Sequence, residues 1–558
     1  MEHKMTRRTF VKTTGLASLG LLTFCSARNR FDIIIRNGTV FDGISPAGRK
    51  LDIGISGERI AAMDNLENAS ADVIIDAAGL AVAPGFVDIH THTDTELFVN
   101  PLAESKIRQG VTTEVGGNCG SSPFPLNDAD FAEMEKNLQE KYELPLTWRN
   151  IQQFLDELEK TKISLNYATL TGHGDLRSFV IGKNDVQPSA DQLDQMKRRL
   201  AETMEQGSFG LSTGLEYAPS SYAKTPELIE LCKVVSNYEG LYATHMRSED
   251  EKVREAVEEA LQICEQASVP LQISHLKACN KANWHKTEKL LEMIDQALNS
   301  GLPVNADRYP YIAYGTGLGT FLPLWARQGT NEEITERLKD RTLIGDIREY
   351  AASRAQRIGG WDRVLISNCG SEEGMKYEGK YILECAEQEQ ADPVDFALNL
   401  LKEENMKVGI IGFAMDEDNL KNVLSSPPVM VGSDGCAVAP YGKLAEGKPH
   451  PRFYGTFPRV LGKYCREENI FDLGTAIRKM TSMPAEKMGL KKRGMLKKDY
   501  FADITIFNSQ AVIDRATFIN PHQYAEGIEY VIVNGKITIE RGEHTGEFAG
   551  SVLRHQAV

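Results

Sequence analysis

Phe86-Val-Asp-Ile-His90-Thr-His92 is the stretch from which the fold is read. It follows the turn signal Pro84-Gly85 and ends in two histidines one residue apart. In an extended strand alternate side chains share a face, so both imidazoles point the same way. Four other apolar runs also end in a side chain that can bind metal. They are Val111-Thr-Thr-Glu-Val-Gly-Gly-Asn-Cys119, Leu241-Tyr-Ala-Thr-His245, Leu271-Gln-Ile-Ser-His275 and Val429-Met-Val-Gly-Ser-Asp434. Three more strand candidates lie at 166–173, 207–216 and 303–309, making eight. Segments with apolar residues at i, i+3 and i+4 separate the later strands, at 192–206, 226–237, 250–266 and 286–299. Strands alternating with helices specify a parallel sheet, and eight of them an α/β fold of the closed (β/α)8 TIM-barrel kind. An open doubly wound sheet is disfavoured, because no Gly-rich phosphate loop opens a helix after a strand.

Both flanks have a different texture. Asp32-Ile-Ile-Ile-Arg-Asn37-Gly38-Thr-Val-Phe reads as two strands joined by an Asn-Gly hairpin, and Tyr530-Val-Ile-Val-Asn534-Gly535-Lys-Ile-Thr-Ile-Glu repeats the pattern. The prediction is one small β-sandwich built from both termini, residues 31–83 and 497–548, beside a barrel spanning 84–496. Over a hundred residues separate the seventh and eighth strands. A connection of that length carries its own structure. An inserted subdomain over 315–427 is therefore expected above the barrel mouth, with helices at 331–339, 344–357 and 393–404.

The chain has 558 residues, with 41% apolar and 25% charged, a composition ordinary for a soluble protein of two or three domains. Its net charge of −15 argues against nucleic acid or an anionic membrane as partner. Residues 1–30 stand apart. Thr6-Arg7-Arg8-Thr9-Phe10 precedes the apolar run Gly15 to Phe24, which resembles a twin-arginine export signal and is too short to span a membrane. An exported location, periplasmic or otherwise extracytoplasmic, is expected. Cys25 offers a site for lipid anchoring, and cleavage near Ala27 is the alternative. The remaining mature chain shows no membrane-spanning segment. The nine cysteines are scattered without repeated spacing, so no disulfide framework is legible.

His90, His92, Cys119, His245, His275 and Asp434 therefore converge at the C-terminal strand ends of a barrel, the face where such barrels place their chemistry. Imidazole, thiolate and carboxylate together suit zinc. Glycines on both sides of Cys119 let the backbone bring the thiolate close to an ion. Asp434 can touch the metal and also move a proton. His173, in Thr-Gly-His-Gly-Asp, ends the third predicted strand and is placed at the same mouth, in contact with substrate or behind the ligands. Glu216 ends the fourth and is a candidate metal bridge. His285 lacks such a context and reads as a surface residue.

This constellation resembles the amidohydrolase superfamily. Gly116-Gly-Asn-Cys-Gly120 on the second strand makes it similar to the D-aminoacylase branch, as do Gly210-Leu-Ser-Thr-Gly-Leu215, Thr244-His-Met-Arg-Ser-Glu249, Asp307-Arg-Tyr-Pro-Tyr311 and His450-Pro-Arg-Phe-Tyr454. The resemblance implies one tight Zn2+ at Cys119, His245 and His275, and a second, weaker site at His90 and His92. It implies Asp434 as general acid–base, acting with zinc-activated water on the amide of an N-acyl-D-amino acid or of a dipeptide with a C-terminal D-residue. Arg452 and Tyr309 would bind the free carboxylate of that small-molecule substrate. Relatives often carry serine after the Tyr-Pro-Tyr stretch, where this chain has Tyr314-Gly315-Thr316, so Thr316 is the candidate third contact. Two alternatives stay open: a cyclic-amide hydrolase of hydantoinase or dihydroorotase type, and a non-catalytic metal-binding lipoprotein. The oligomeric state is not legible.

Overall fold

A computed structural model describes residues 30–556. The stretch expected to be an export signal, with Cys25, lies outside them. The barrel strands are β1 (Phe86–Asp88), β2 (Val111–Gly116), β3 (Asn166–Thr169, continued by Thr171–Gly172), β4 (Gly210–Gly214), β5 (Leu241–His245), β6 (Leu271–Ile273), β7 (Val304–Arg308) and β8 (Val429–Val431). Each pairs in parallel with the next. The ring closes through one parallel bridge between Thr91 and Gly435. The chain is therefore a TIM barrel. Its strands are buried almost throughout because helices cover their outer faces and side chains fill the interior. Helices Ala190–Glu205, Thr225–Asn237, Val253–Ala267 and Thr287–Asn299 bury one stripe each. Together with β4 to β8 they share one apolar core. The first of them starts where Ser189 and Gln192 cap one another reciprocally.

Strands from both ends of the chain build a seven-stranded sheet. In it Ile504–Phe507 pairs with Ala81–Pro84, and Thr39–Val40 lies beyond. A four-stranded sheet packs against it over Ile33, Ile35, Ile53, Val82, Ile504 and Ile532. The two Asn-Gly signals behave differently. Asn534 and Gly535, with φ of 46° and 78°, join Ile528–Val533 to Lys536–Glu540 as the predicted hairpin, with Val533 opposite Lys536. The predicted hairpin at Asn37-Gly38 does not form. Arg30–Arg36 pairs with Asp52–Ser56 and Ser70–Asp76 in the four-stranded sheet, whereas Thr39–Val40 belongs to the other. The left-handed turn at Asn37 passes the chain between sheets, and its amide is held by Asp76 at 2.8 Å.

The connection from β7 to β8 carries its own apolar core, including Phe321, Ile347, Ile382 and Leu401. Helices Asn331–Arg337, Ile344–Ile358 and Pro393–Glu403 fall where the periodicity put them. It also holds an antiparallel sheet in the order Tyr314–Gly317, Val408–Gly412, Val364–Cys369, which the sequence did not reveal. Among the described residues no helix is long and apolar enough to cross a membrane.

Barrel and sandwich meet at Phe86, which is fully buried and stacks on Phe457 and, edge-on, on Phe507 with ring centroids 5.7 and 6.2 Å away. Phe86→Ala should cost about 3–5 kcal/mol of stability by opening a cavity there. Denaturant unfolding checks this, and the folded fraction should keep an unchanged KM.

Candidate metal centre

Three of the predicted ligands sit on backbone that most residues avoid. Cys119, His275 and Asp434 have φ of 51°, 37° and 51°. Non-glycine residues in the left-handed region cost about 1–3 kcal/mol each and cluster at functional sites. At each position the strand has just ended, and the reversed φ aims the side chain at the barrel axis. Gly117 and Gly120, at φ 70° and 78°, frame Cys119. A Cβ on Gly117 would lie 2.1 Å from the Leu170 carbonyl, and one on Gly120 2.5 Å from the Gly214 nitrogen. Both must be glycine for the loop to approach β3 and β4 this closely.

The side chains converge. Cys119 Sγ lies 3.3 Å from His90 Nε2 and 3.5 Å from His275 Nε2. Asp434 Oδ1 lies 3.0 Å from His92 Nε2 and 3.5 Å from His90 Nε2. One donor atom from each of His90, Cys119, His275 and Asp434 falls within 4.8 Å of the others. His245 joins them, its ring centroid 4.6 Å from that of His275. Burial opposes charge on Cys119, His92 and His245, yet the attraction of their neighbours dominates. Burial alone would raise the Cys119 thiol, but His90 and hydrogen bonds from His245 and His275 hold it well below the usual thiol range. Burial likewise lowers His92 and His245, but Asp434 and Cys119 lift His92 to about 9, and Glu249 with Cys119 lifts His245 to about 10. The cluster thus behaves as an electron-rich site that seeks a cation. Its donor types, thiolate and imidazole, fit zinc.

A shell of charged groups fixes the rings. His90 Nδ1 donates to Asp307 Oδ1 at 3.1 Å, and that carboxylate also accepts from the His275 backbone N–H and from Gln272, each at 2.8 Å. His275 Nδ1 lies 2.8 Å from Glu249 Oε1, and Lys277 Nζ meets the same oxygen while lying 2.9 Å from that ring nitrogen. Glu249 therefore meets the nitrogen opposite the one facing Cys119, and its carboxylate also falls within 4.8 Å of donor atoms of both His245 and His275. Such carboxylates set tautomer and ring angle at metal sites. Sequence reading missed Asp307, Glu249 and Lys277 as orienting groups, although all three lie in stretches that match the family, the last in Ile273-Ser-His-Leu-Lys277.

The centre opens into a cavity of about 830 Å³ whose lining includes Tyr309, Thr316, Glu216 and Arg452. Arg452 Nη1 lies 2.9 Å from Asp434 Oδ2, and its guanidinium stacks 4.7 Å above the Tyr309 ring. Thr316 comes from the inserted subdomain and meets Tyr217 at 3.3 Å. Glu216 faces His245 Nε2 at 3.4 Å with one oxygen and Arg354 at 2.8 Å with the other. His173 does not belong here. It opens helix His173–Ile181 with its ring fully buried, one nitrogen 2.8 Å from Ser220 and the other 3.1 Å from Glu227. Both nitrogens are occupied away from the cavity, so the sequence-based placement of His173 against substrate is corrected.

The model of the amidohydrolase family matches residues 73–539. The chain belongs to that family. Within the family it is similar to the D-aminoacylase of Alcaligenes xylosoxydans xylosoxydans, at 35% identity over 94% of this chain and 98% of that protein. It is similar in structure to N-acyl-D-glutamate deacylase from Bordetella bronchiseptica, solved with zinc and a phosphonate mimic of the tetrahedral intermediate. That likeness has a TM-score of 0.80 at 32% identity, covering 94% of this chain and all of the other. A D-aminoacylase structure, described for its binuclear metal centre with one-metal activation and second-metal attenuation, matches with a TM-score of 0.79 at 35% identity over 94% and 100% of the two chains. This amidohydrolase is accordingly a hydrolase of amide bonds.

Asp307→Asn removes the charge that fixes His90 and the His275 backbone. It should weaken zinc binding about 10–100-fold. Competition with a chelator, followed by metal analysis, measures the loss.

Proposed function

We propose that this amidohydrolase cleaves the amide bond of N-acyl-D-amino acids, or of dipeptides ending in a D-residue. The observation that carries the reading is a pair of buried donor side chains beside Asp434. Arg452 Nε and Tyr309 Oη are buried without a hydrogen-bond partner, and Arg452 Nη1 faces only the Asp434 carboxylate, 2.9 Å away. Leaving such groups unpaired is costly, and a carboxylate matches the planar fork of a guanidinium. Thr316 adds a hydroxyl to the same cavity. A cyclic amide has no free α-carboxylate to place there. The D-configuration is supported by the relatives named above.

Each residue then has a task. Arg452 and Tyr309 hold the α-carboxylate, which brings the neighbouring amide to Asp434. Zinc at the centre supplies a Lewis acid that lowers the pKa of water toward neutrality. Burial would raise Asp434, but Arg452 and then His92 and His90 hold it well below the usual carboxylate range, so it enters the reaction as a base. Asp434 Oδ1 takes the proton of the attacking water and returns it to the amide nitrogen as the acyl bond breaks. The inserted subdomain roofs the cavity and limits access of bulk water.

The purified zinc enzyme should turn over N-acetyl-D-amino acids and leave their L-enantiomers untouched. Arg452→Ala should lower kcat/KM about 10–150-fold, the worth of hydrogen bonds to a charged group. Asp434→Asn should lower kcat about 100- to 10,000-fold. Activity confined to L-substrates, or to cyclic amides and indifferent to Arg452→Ala, would overturn the assignment.

We also propose that the folded enzyme is exported. Arg7-Arg8 and the apolar run after them support this reading. Replacing both arginines with lysine should leave the full-length protein in the cytoplasm, as cell fractionation would reveal.

A further inference from the structure

We propose that Lys106 is a positioning residue for Asp434. Its buried ammonium closes the seam between β8 and β1 and fixes the turn Ser433-Asp434-Gly435. The inference rests on the reading of Asp434 as the proton-transfer group.

The seam is the weakest joint of the ring. β7 and β8 are in register over three residue pairs, as are β1 and β2. Between β8 and β1 there is only the Thr91–Gly435 bridge, with Asp434 N–H donating to the His90 carbonyl at 2.8 Å and His92 N–H to the Gly435 carbonyl at 3.0 Å. Charged side chains fill the gap. Lys106, on the short helix Glu104–Ile107 before β2, is wholly buried. Its Nζ lies 2.8 Å from Asp88 in β1, 3.2 Å from Glu114 in β2, 2.7 Å from Ser433 Oγ and 3.3 Å from the Gly435 carbonyl. Asp88 reaches the same turn, its other oxygen accepting from Ser433 N–H at 2.9 Å. Glu114 also accepts from Thr93 at 3.1 Å, and Thr93 in turn accepts from Ala437 N–H at 2.8 Å.

The network therefore grips the residue before Asp434 and the residue after it, and touches Asp434 itself nowhere. Asp434 stands at φ 51°, a conformation that persists only where its surroundings over-determine it. A buried ion network of this kind is weak evidence for stability, since apolar residues of similar volume often do as well. Its distinctive effect is geometric. Asp434 must present Oδ1 to the metal ligands while Oδ2 stays on Arg452, and misplacement by about 1 Å costs on the order of 100-fold in rate.

The test compares Lys106→Met, Ser433→Ala, the double variant and Asp434→Asn, each as full-length zinc enzyme. N-acetyl-D-amino acid is the substrate, and zinc content and thermal midpoint are recorded in parallel. Lys106→Met should lower kcat about 10- to 100-fold and Ser433→Ala about 3- to 10-fold. KM should stay within about twofold and zinc per chain unchanged. The double variant should be no worse than Lys106→Met, because both act through one turn. If Lys106→Met does not fold, Ser433→Ala decides by the same split. Unchanged kcat in the variants alongside an inactive Asp434→Asn overturns the role of Lys106 alone. A kcat loss that merely tracks lost zinc or raised KM also overturns it. Turnover retained by Asp434→Asn overturns the underlying reading instead.

Discussion

Lone pairs aimed at one another are the constraint on which this molecule is organised. Four imidazoles, a thiolate and a carboxylate meet at the mouth of the barrel, a donor set that suits a shared cation. The raised histidines and the lowered cysteine express that demand in the chain alone. So do the three left-handed residues, because a relaxed backbone would turn these side chains apart. The fold offsets the cost with charges whose task is orientation. Asp307 fixes His90 from one side, and the pair Glu249–Lys277 fixes His275 from another. Removing any one of them leaves every ligand in place but changes where its lone pair points.

The division of labour between segments follows from this. Barrel strands are rigid and parallel, so they supply the ligands. The carboxylate seat comes from elsewhere: Tyr309 just past β7, Arg452 after β8 and Thr316 from the inserted subdomain. His450 couples two of these segments, its Nε2 donating to the Ala313 carbonyl at 3.0 Å while Nδ1 accepts from Arg452 N–H at 3.0 Å. Burial, and then the Arg452 charge, keep that imidazole neutral, so it can bridge the two. The reacting centre is thus fixed by the closed ring, while the surface that reads the substrate sits on longer connections. Loops carried by a rigid scaffold are where such variation is tolerated.

What could be read without coordinates was whatever follows a local period. Apolar runs that end in His, Cys or Asp gave the strand ends and so the ligands, because alternation and burial are properties of five or six adjacent residues. The helices of the insertion were legible for the same reason. Asn37-Gly38 misled because its turn chemistry is local but its pairing is not: the two-residue strand after it is claimed by Ala81–Pro84 and Arg49–Lys50. Val408–Gly412 was missed because its partners lie far off along the chain. His173 carried the right local signal and the wrong destination, since Glu227 on a later helix captures its ring. Of the orienting charges, two announced themselves faintly. Asp88 in Phe86-Val-Asp-Ile and Glu114 in Val111-Thr-Thr-Glu-Val put a charge into runs otherwise free of it, and a carboxylate inside a buried strand needs a cation somewhere.

That cation explains why the charge is tolerated at all. A parallel barrel must close on itself, and the last pair of strands to meet inherits the accumulated mismatch in register. Here β1 and β8 are only three residues long, and backbone bonding between them begins beyond their ends, at His90 to His92 and Asp434 to Gly435. Apolar side chains would fill the remaining gap but hold it in no particular orientation, because dispersion contacts are weakly directional. Hydrogen bonds to an ammonium are directional and, inside a barrel, poorly screened. With Asp88 and Glu114 balancing its charge, Lys106 turns the loosest joint of the ring into one of defined geometry, immediately beneath the residue whose angle matters most.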